Sequence, residues 1–443
     1  TEKFKSVGVK KDSVGISIIE IPTKINKEEL KSFDFNHNIS FNPASAMKIL
    51  TTMAAFQIIG KDFQFKTHFL TDGVINNKTL NGNIYLVGSG DPKLVIEDID
   101  EIVLGIRDLG INTIRGNWIV DDSLFSEPEV DPSNFDGKPY KPYNVGPNAA
   151  MINFKSTEIF IDNKRLKNRL SISLRPELSG IRVKNRVRLI RGGCYRNKIS
   201  TDLRNDELLL FGKFGRSCKK YSFFLSLMDH YSFGFSVFKN SWEKSGGKFL
   251  GTAMKGKPPA SHRNLFVWKS PRNLHNLIED INKMSNNPMA RNLFLYLSAY
   301  SNRPGTLKKS NEMINSWLNS KSFDFSDVII HNGSGLSRNV RITPQTLTLL
   351  LVDALNDESA IHWLRTFPLA GVEGTVSNRF NNKKASGNAW LKTGSLKGVQ
   401  AYSGYVRTAK DNWFAISILV NDTLAEKSKN AMDEVVEWLY KNN

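Results

Sequence analysis

Asn42-Pro-Ala-Ser-Ala-Met-Lys-Ile-Leu50 opens a strongly apolar helical pattern. Asn42 is a capping residue, Pro43 suits a first turn, and Met47, Ile49, Leu50, Met53, Ala54, Phe56, Ile58 and Ile59 follow before Gly60 supplies a stop. The pattern is apolar nearly all round, so it predicts a helix buried in a domain centre. Ser45 is expected at its N-terminal turn, where the helix dipole favours developing negative charge. Lys48, three residues on, falls on the same face. A serine hydroxyl is a weak nucleophile that needs a base, and a lysine can be that base only when neutral. Ser-x-x-Lys also occurs at Ser217, Ser236, Ser241 and Ser245, and Lys-Ser/Thr-Gly occurs at Lys244 and Lys392. Of these serines, only Ser45 stands at the head of an apolar helical run. Read alone, its tetrapeptide is better taken as a core helix with a capping serine and a snorkelling lysine.

With 443 residues the chain has room for two or three domains and a large core. No apolar run reaches the ~18–20 residues needed to span a bilayer. The chain begins at Thr1, as a processed or trimmed protein would. Its formal charge is +18, and half of that excess lies between Arg182 and Lys220, where twelve Lys/Arg meet only Asp202, Asp206 and Glu207. Arg182, Lys184, Arg186 and Arg188 alternate with Ile181, Val183, Asn185 and Val187, which predicts a strand with one basic face. Such a face suits an anionic envelope surface or cell-wall polymer, or it is simply solvated. Aromatic residues are not interleaved with the cations, so nucleic acid is not expected as a partner. Cys194 and Cys218 flank this segment, either as a bridge closing a small loop or as two buried thiols. A bridge would imply an oxidising, extracytoplasmic compartment. No His/Cys spacing suggests a metal site, and no cofactor motif is evident.

Val14–Ile21 reads as an early strand, followed by a polar connection to the Ser45 helix. From about Phe69, short strands alternate with Gly/Asn turns; a helix near Ile99–Leu109, a strand near Trp118–Val120 and an irregular loop from Pro128 to Pro147 follow. Residues 155–250 read as mostly β, and Pro258-Pro259 as a return linker. Helices are expected over Asn273–Lys283, Met289–Ala299 and from Thr343-Pro344 to Asn356. Strands are expected near Ala389–Thr393, Val399–Val406 and Trp413–Val420, with a terminal helix over Thr423–Tyr440. The α+β expectation is one antiparallel sheet flanked by helices, built from both chain ends. Residues 1–66 plus 255–443 would form that domain, and 67–254 an inserted, mostly β region with two subdomains, one near 165–220.

Further motifs follow in order: Gly88-Ser-Gly-Asp-Pro92, Gly116-Asn-Trp-Ile-Val-Asp-Asp-Ser-Leu-Phe125, Tyr143-Asn-Val-Gly-Pro-Asn-Ala-Ala150 and Asn282-Lys-Met-Ser-Asn-Asn287. After them come Asn332-Gly-Ser-Gly-Leu-Ser-Arg338, Leu369-Ala-Gly-Val-Glu-Gly-Thr375 and Leu391-Lys-Thr-Gly-Ser-Leu396. In this order and spacing the chain resembles, over nearly its whole length, the type-4 low-molecular-mass penicillin-binding proteins, which are D-alanyl-D-alanine carboxypeptidases/endopeptidases. The resemblance implies the penicillin-binding/β-lactamase-like fold with inserted domains. It also implies a serine DD-peptidase that cleaves peptidoglycan stem peptides, with cross-links as a further substrate, and that binds β-lactams covalently. Such an enzyme works outside the cytoplasm, in the periplasm, soluble or peripheral to the membrane.

Residue by residue, the resemblance makes Ser45 the nucleophile and Lys48 its base, with Ser285 relaying a proton and Asn287 holding the substrate amide. Lys392 and Thr393 would bind the substrate carboxylate, and Gly394 would allow close approach on a strand edge. The backbone N–H groups of Ser45 and Ser395 would form the oxyanion hole. Arg338 would contact the distal end of the stem side chain, and Asp136, in the loop over 134–142, its ammonium group. The about 240 residues between Ser45 and Ser285 suit the inserted domains of this family. A β-lactamase or esterase-like hydrolase of the same superfamily, or a non-catalytic envelope-binding protein, are the alternatives. None of the seven histidines pairs with an obvious Ser/Asp set, which speaks against a Ser-His-Asp enzyme.

Overall fold

A computed structural model describes residues 2–22, 31–166, 169–321, 326–356 and 358–443. It contains two compact units: Thr1–Phe65 with Phe125–Pro128 and Pro271–Asn443, and Lys66–Leu124 with Glu129–Ser270.

The first unit is built on a five-stranded antiparallel sheet in the order Ala389–Leu396, Val399–Arg407, Trp413–Asn421, Val14–Glu20, Ser32–Phe35. The N-terminal strand lies beside the last one, with Val14 opposite Val420 and Glu20 opposite Phe414. Val399–Arg407 and Trp413–Asn421 are buried along nearly their whole length, as strands covered on both faces must be. On one face, Ile16, Ile18, Ile416 and Ile418 form a core with Met432, Val436 and Leu439 of the terminal helix Lys429–Asn442. Ser17 alternates to the other face, where its carbonyl accepts from Thr348 on the helix Pro344–Leu355. Thr343 caps that helix by accepting from the Thr346 N–H.

Two expectations change here. The polar connection after Ile21 contains the edge strand Ser32–Phe35, too short for its Phe33/Phe35 alternation to register; residues 23–30 lie outside the described residues. The terminal helix starts at Lys429, after a 3₁₀ turn over Ala425–Ser428.

Behind the sheet runs the helix Lys48–Ile58, with every residue from Lys48 to Phe56 buried. Gly60 ends it in the left-handed region (φ +95°). Leu274–Met284, Asn287–Ser301 and Leu307–Asn319 pack around it. The last of these was not anticipated.

The second unit is mixed. One five-stranded sheet has the order Ala253–Lys255, Trp118–Asp121, Ile84–Val87, Gln64–Thr71, Arg263–Asn273. Because Arg263–Asn273 still belongs to this sheet, Pro258-Pro259 does not mark the return; the chain rejoins the first unit at Pro271. The helix Ile96–Arg107 packs on His230–Lys244, a 15-residue helix in a region expected to be mostly β. Its Ser, Phe and Gly content is poor helix material, and burial of Phe233, Val237, Phe238 and Trp242 overrides that weakness. A four-stranded sheet of short strands and two three-stranded sheets complete the unit. In one, the basic strand Arg182–Ile190 runs parallel to Glu207–Gly215 and exposes Arg182, Lys184, Arg186 and Arg188. Cys194 and Cys218 are disulfide-bonded.

Candidate active site

The site begins with a departure from helical expectation. Ser45 is not in the α-helix; it sits in a 3₁₀ turn over Ala44–Met47, and the α-helix starts at Lys48. Ala44 is left-handed (φ 47°), and its N–H is held by the Asn42 side chain at 2.8 Å. Asn42 also donates to the Ser337 carbonyl at 2.9 Å, while its backbone exchanges hydrogen bonds with the Asn421 side chain. Asn42 is therefore not the helix cap expected of it, since Pro43 holds that position at the 3₁₀ turn; it ties the Ser45 turn to the end of the sheet and to the loop over 332–338. Gly335 (φ +76°) seals the second tie: a Cβ there would lie 1.9 Å from the Ala44 carbonyl oxygen.

Lys48 points back along this turn. Its Nζ donates to Ser45 Oγ at 3.0 Å, to Asn287 Oδ1 at 2.6 Å and to the Ser334 carbonyl at 2.6 Å. The side chain is fully buried. Burial first, then the Lys392 ammonium and the Arg291 guanidinium, push its pKa well below the ordinary lysine value. None of its three hydrogen-bonding partners is a carboxylate. A buried lysine so placed is set up to be neutral and to take a proton from a neighbouring hydroxyl.

Ser285 and Asn287 reach the site from the junction of two helices. Ser285 ends Leu274–Met284 in the left-handed region (φ 55°), Asn286 caps the next helix by accepting from the Met289 N–H, and Asn287 is its first residue. The cap and the chemistry therefore use different residues of one tripeptide. Lys392 Nζ donates to Ser285 Oγ and to the Thr393 carbonyl, both at 2.9 Å. It too is fully buried, and burial lowers its pKa to about 7.

Lys392, Thr393 and Gly394 lie on Ala389–Leu396, the edge strand of the sheet. Gly394 is required by close approach: a Cβ would sit 2.3 Å from the Pro43 carbonyl oxygen and 3.1 Å from the Ala46 nitrogen. The edge strand thereby presses against the Ser45 turn. Ser395 is exposed and accepts a hydrogen bond from Gln400 at 2.7 Å.

The first unit thus brings together Ser45, Lys48, Ser285, Asn287, Lys392, Thr393 and Gly394. Arg338 lies on its surface, donating to the Lys397 carbonyl at 2.8 Å. Asp136 belongs to the second unit, where its carboxylate accepts from Tyr143, Asn144 and the Lys138 N–H. Partial burial pushes its pKa up, but these hydrogen bonds outweigh it and hold the carboxyl below its ordinary value. Three contributors escaped the sequence: the Ser334 carbonyl, Arg291 and Thr375. The first acts through its backbone and leaves no side-chain signal. Arg291 sits four residues after Asn287, buried, and burial lowers its pKa to about 10. That spacing from Asn287 was the available clue. Thr375 ends the motif Leu369–Thr375, which carried no role in the sequence reading, and its hydroxyl is 2.8 Å from that of Thr393. Among the described residues, no group of three or more His, Cys, Asp or Glu side chains could hold a metal ion, and no helix is long and apolar enough to cross a membrane.

A serine–lysine pair at the foot of a buried helix, facing a Lys-Thr-Gly sheet edge, is the arrangement of penicillin-recognising serine hydrolases. The chain belongs to the D-Ala-D-Ala carboxypeptidase 3 (S13) family, whose model matches residues 10–442. It is 26% identical over 429 residues to the D-alanyl-D-alanine carboxypeptidase DacB of Haemophilus influenzae, covering 94% of this chain and 88% of that one. It is also 26% identical over 422 residues to the D-alanyl-D-alanine carboxypeptidase of Actinomadura sp. (strain R39), covering 92% of this chain and 77% of the relative. The crystal structure of penicillin-binding protein 4 from Haemophilus influenzae matches the fold with a TM-score of 0.77 at 23% identity, covering 98% of each chain. That protein has also been solved in complex with a β-lactam.

Proposed function

We propose that Ser45 attacks the carbonyl between the two terminal D-alanines of a wall stem peptide, forming an acyl-enzyme that water then hydrolyses. The observation that carries this reading is the position of Lys48 Nζ, buried and 3.0 Å from Ser45 Oγ. Neutral Lys48 takes the hydroxyl proton as the Ser45 Oγ–carbon bond forms. The oxyanion is received by the N–H groups of Ser45 and Ser395; the latter lies on the edge strand beyond the Ala389–Leu391 stretch that bonds to Pro368–Ala370, which supports that role. Ser285 relays that proton, giving its own to the leaving nitrogen and receiving one from protonated Lys48, as the C–N bond breaks and D-alanine departs. Asn287 holds the substrate amide, and Lys392 with Thr393 binds the free carboxylate. A β-lactam acylates the same hydroxyl.

The first unit is the discontinuous catalytic domain in this reading, and the second is the inserted region. Arg338 contacts the distal end of the stem side chain. The enzyme works in the periplasm, and the exposed Arg182–Arg188 face holds it to an anionic wall polymer or envelope surface. Incubation with defined stem pentapeptides and cross-linked dimers, with products identified by mass, tests the core of this reading. Native protein should release D-alanine from the pentapeptide, and Ser45→Ala should release none. D-alanine release by Ser45→Ala at the native rate would rule out Ser45 as the nucleophile.

A further inference from the structure

Thr375 is exposed, and the loop that carries it is held from two sides. Lys283, at the end of the helix that delivers Ser285, bridges Glu279 at 2.6 Å and Glu373 at 2.8 Å. Gly374 (φ +62°) packs so closely that a Cβ would lie 2.7 Å from the Lys283 carbonyl oxygen. On the other side, the Ala370 N–H donates to the Ala389 carbonyl, and the Leu391 N–H to the Pro368 carbonyl. The loop is therefore pinned both to the Ser285 helix and to the strand carrying Lys392 and Thr393. What it presents is one hydroxyl, 2.8 Å from Thr393 Oγ1.

We propose that Thr375 is a second hydroxyl of the substrate-carboxylate site, paired with Thr393 and held in register by the Lys283–Glu373 bridge. Two hydroxyls side by side can each donate to one oxygen of the same carboxylate, the two-pronged geometry that favours planar anions. Without substrate Thr393 donates to Thr375, which leaves the Thr375 proton available to an incoming anion. Lys392, one residue away, supplies the positive charge. The inference rests on Lys392-Thr393 being the carboxylate site.

The test compares a stem pentapeptide ending in a free carboxylate with the same peptide ending in an amide, by single-turnover acylation and steady-state kinetics. Thr375→Val should lower kcat/KM for the free acid about tenfold, chiefly through a higher KM, in keeping with loss of a hydrogen bond to a charged group. It should leave the amide's acylation rate near native, and Thr375→Ser should restore the acid's KM. An unchanged KM in Thr375→Val, or equal losses on acid and amide, would overturn the proposal. Thr393→Val separates the two readings. If it raises the acid's KM while Thr375→Val does not, only the Thr375 proposal falls. If both variants behave as native, the carboxylate site itself has been misplaced.

Discussion

Two sets of cations in this molecule have opposite fates. Lys48 and Lys392 are fully buried in the first unit, each hydrogen-bonded to a serine hydroxyl, and both have lowered pKa values. Arg182, Lys184, Arg186 and Arg188 stand exposed on one strand of the second, with Lys184 paired to Glu207 at 3.0 Å. Residue types of the same charge thus lie buried beside hydroxyls in one place and exposed to solvent in the other. A buried lysine is unfavourable unless its neighbours accept its hydrogen bonds and its proton can leave. An exposed one acts at longer range and weakens with salt.

The largest effects should come from breaking the buried set. Lys48→Met should lower penicillin acylation by about 10⁴-fold or more, measured with a fluorescent penicillin, because it removes the base of a unit that acts together. Near-native labelling would mean that Ser45 is activated by something else. Next comes the dependence of the two lysines on each other. Acylation needs Lys48 neutral and Lys392 charged, so kcat/KM should rise with pH as Lys48 loses its proton and fall as Lys392 does, near pH 7 in the free enzyme. Lys392→Met removes a cation that depresses Lys48, so the rising limb should move to higher pH. A limb that stays in place would show that the ammonium groups do not sense each other.

The same burial predicts a stability effect. Lys392 binds a proton less readily folded than unfolded, so between its folded pKa near 7 and the ordinary lysine value near 10.5 the unfolded state holds more protons. Its destabilising contribution is full below pH 7 and shrinks as pH rises across that window. Urea midpoints at pH 7 and pH 9 should therefore converge between native protein and Lys392→Met; a constant gap would count against the shift.

Geometry gives a smaller test. Gly394→Ala places a carbon where the Pro43 carbonyl now sits, and should slow acylation more than it lowers stability, which should fall by about 1–3 kcal/mol. The smallest catalytic effect belongs to the exposed set. Arg186→Glu with Arg188→Glu should leave penicillin labelling unchanged and reduce pelleting with purified cell wall at low salt. Pelleting of native protein that ignores salt would remove the electrostatic role.

The contrast also explains what could be read from sequence. An apolar run at helical spacing cannot be exposed, so the buried helix and its Ser45–Lys48 pair were legible from the pattern around them. Alternating cations likewise announced the basic strand. The sheet was legible because its central strands are buried on both faces and sit near the chain ends. The 3₁₀ turn at Ser45 was not legible, since it depends on Gly335 fitting under Ala44 from about 290 residues away. Nor were the Ser334 carbonyl or Thr375. A backbone acceptor carries no residue signature, and a lone threonine gains meaning only from the loop that pins it. The His230–Lys244 helix stayed hidden because tertiary burial, not propensity, makes it helical.

The central claim is that one hydroxyl, selected by a buried amine, takes the acyl group. Benzylpenicillin labelling followed by peptide mapping tests it directly. The adduct should fall on the peptide containing Ser45 and vanish in Ser45→Ala. An adduct on Ser217, Ser236, Ser241 or Ser245, or one that survives Ser45→Ala, would contradict it.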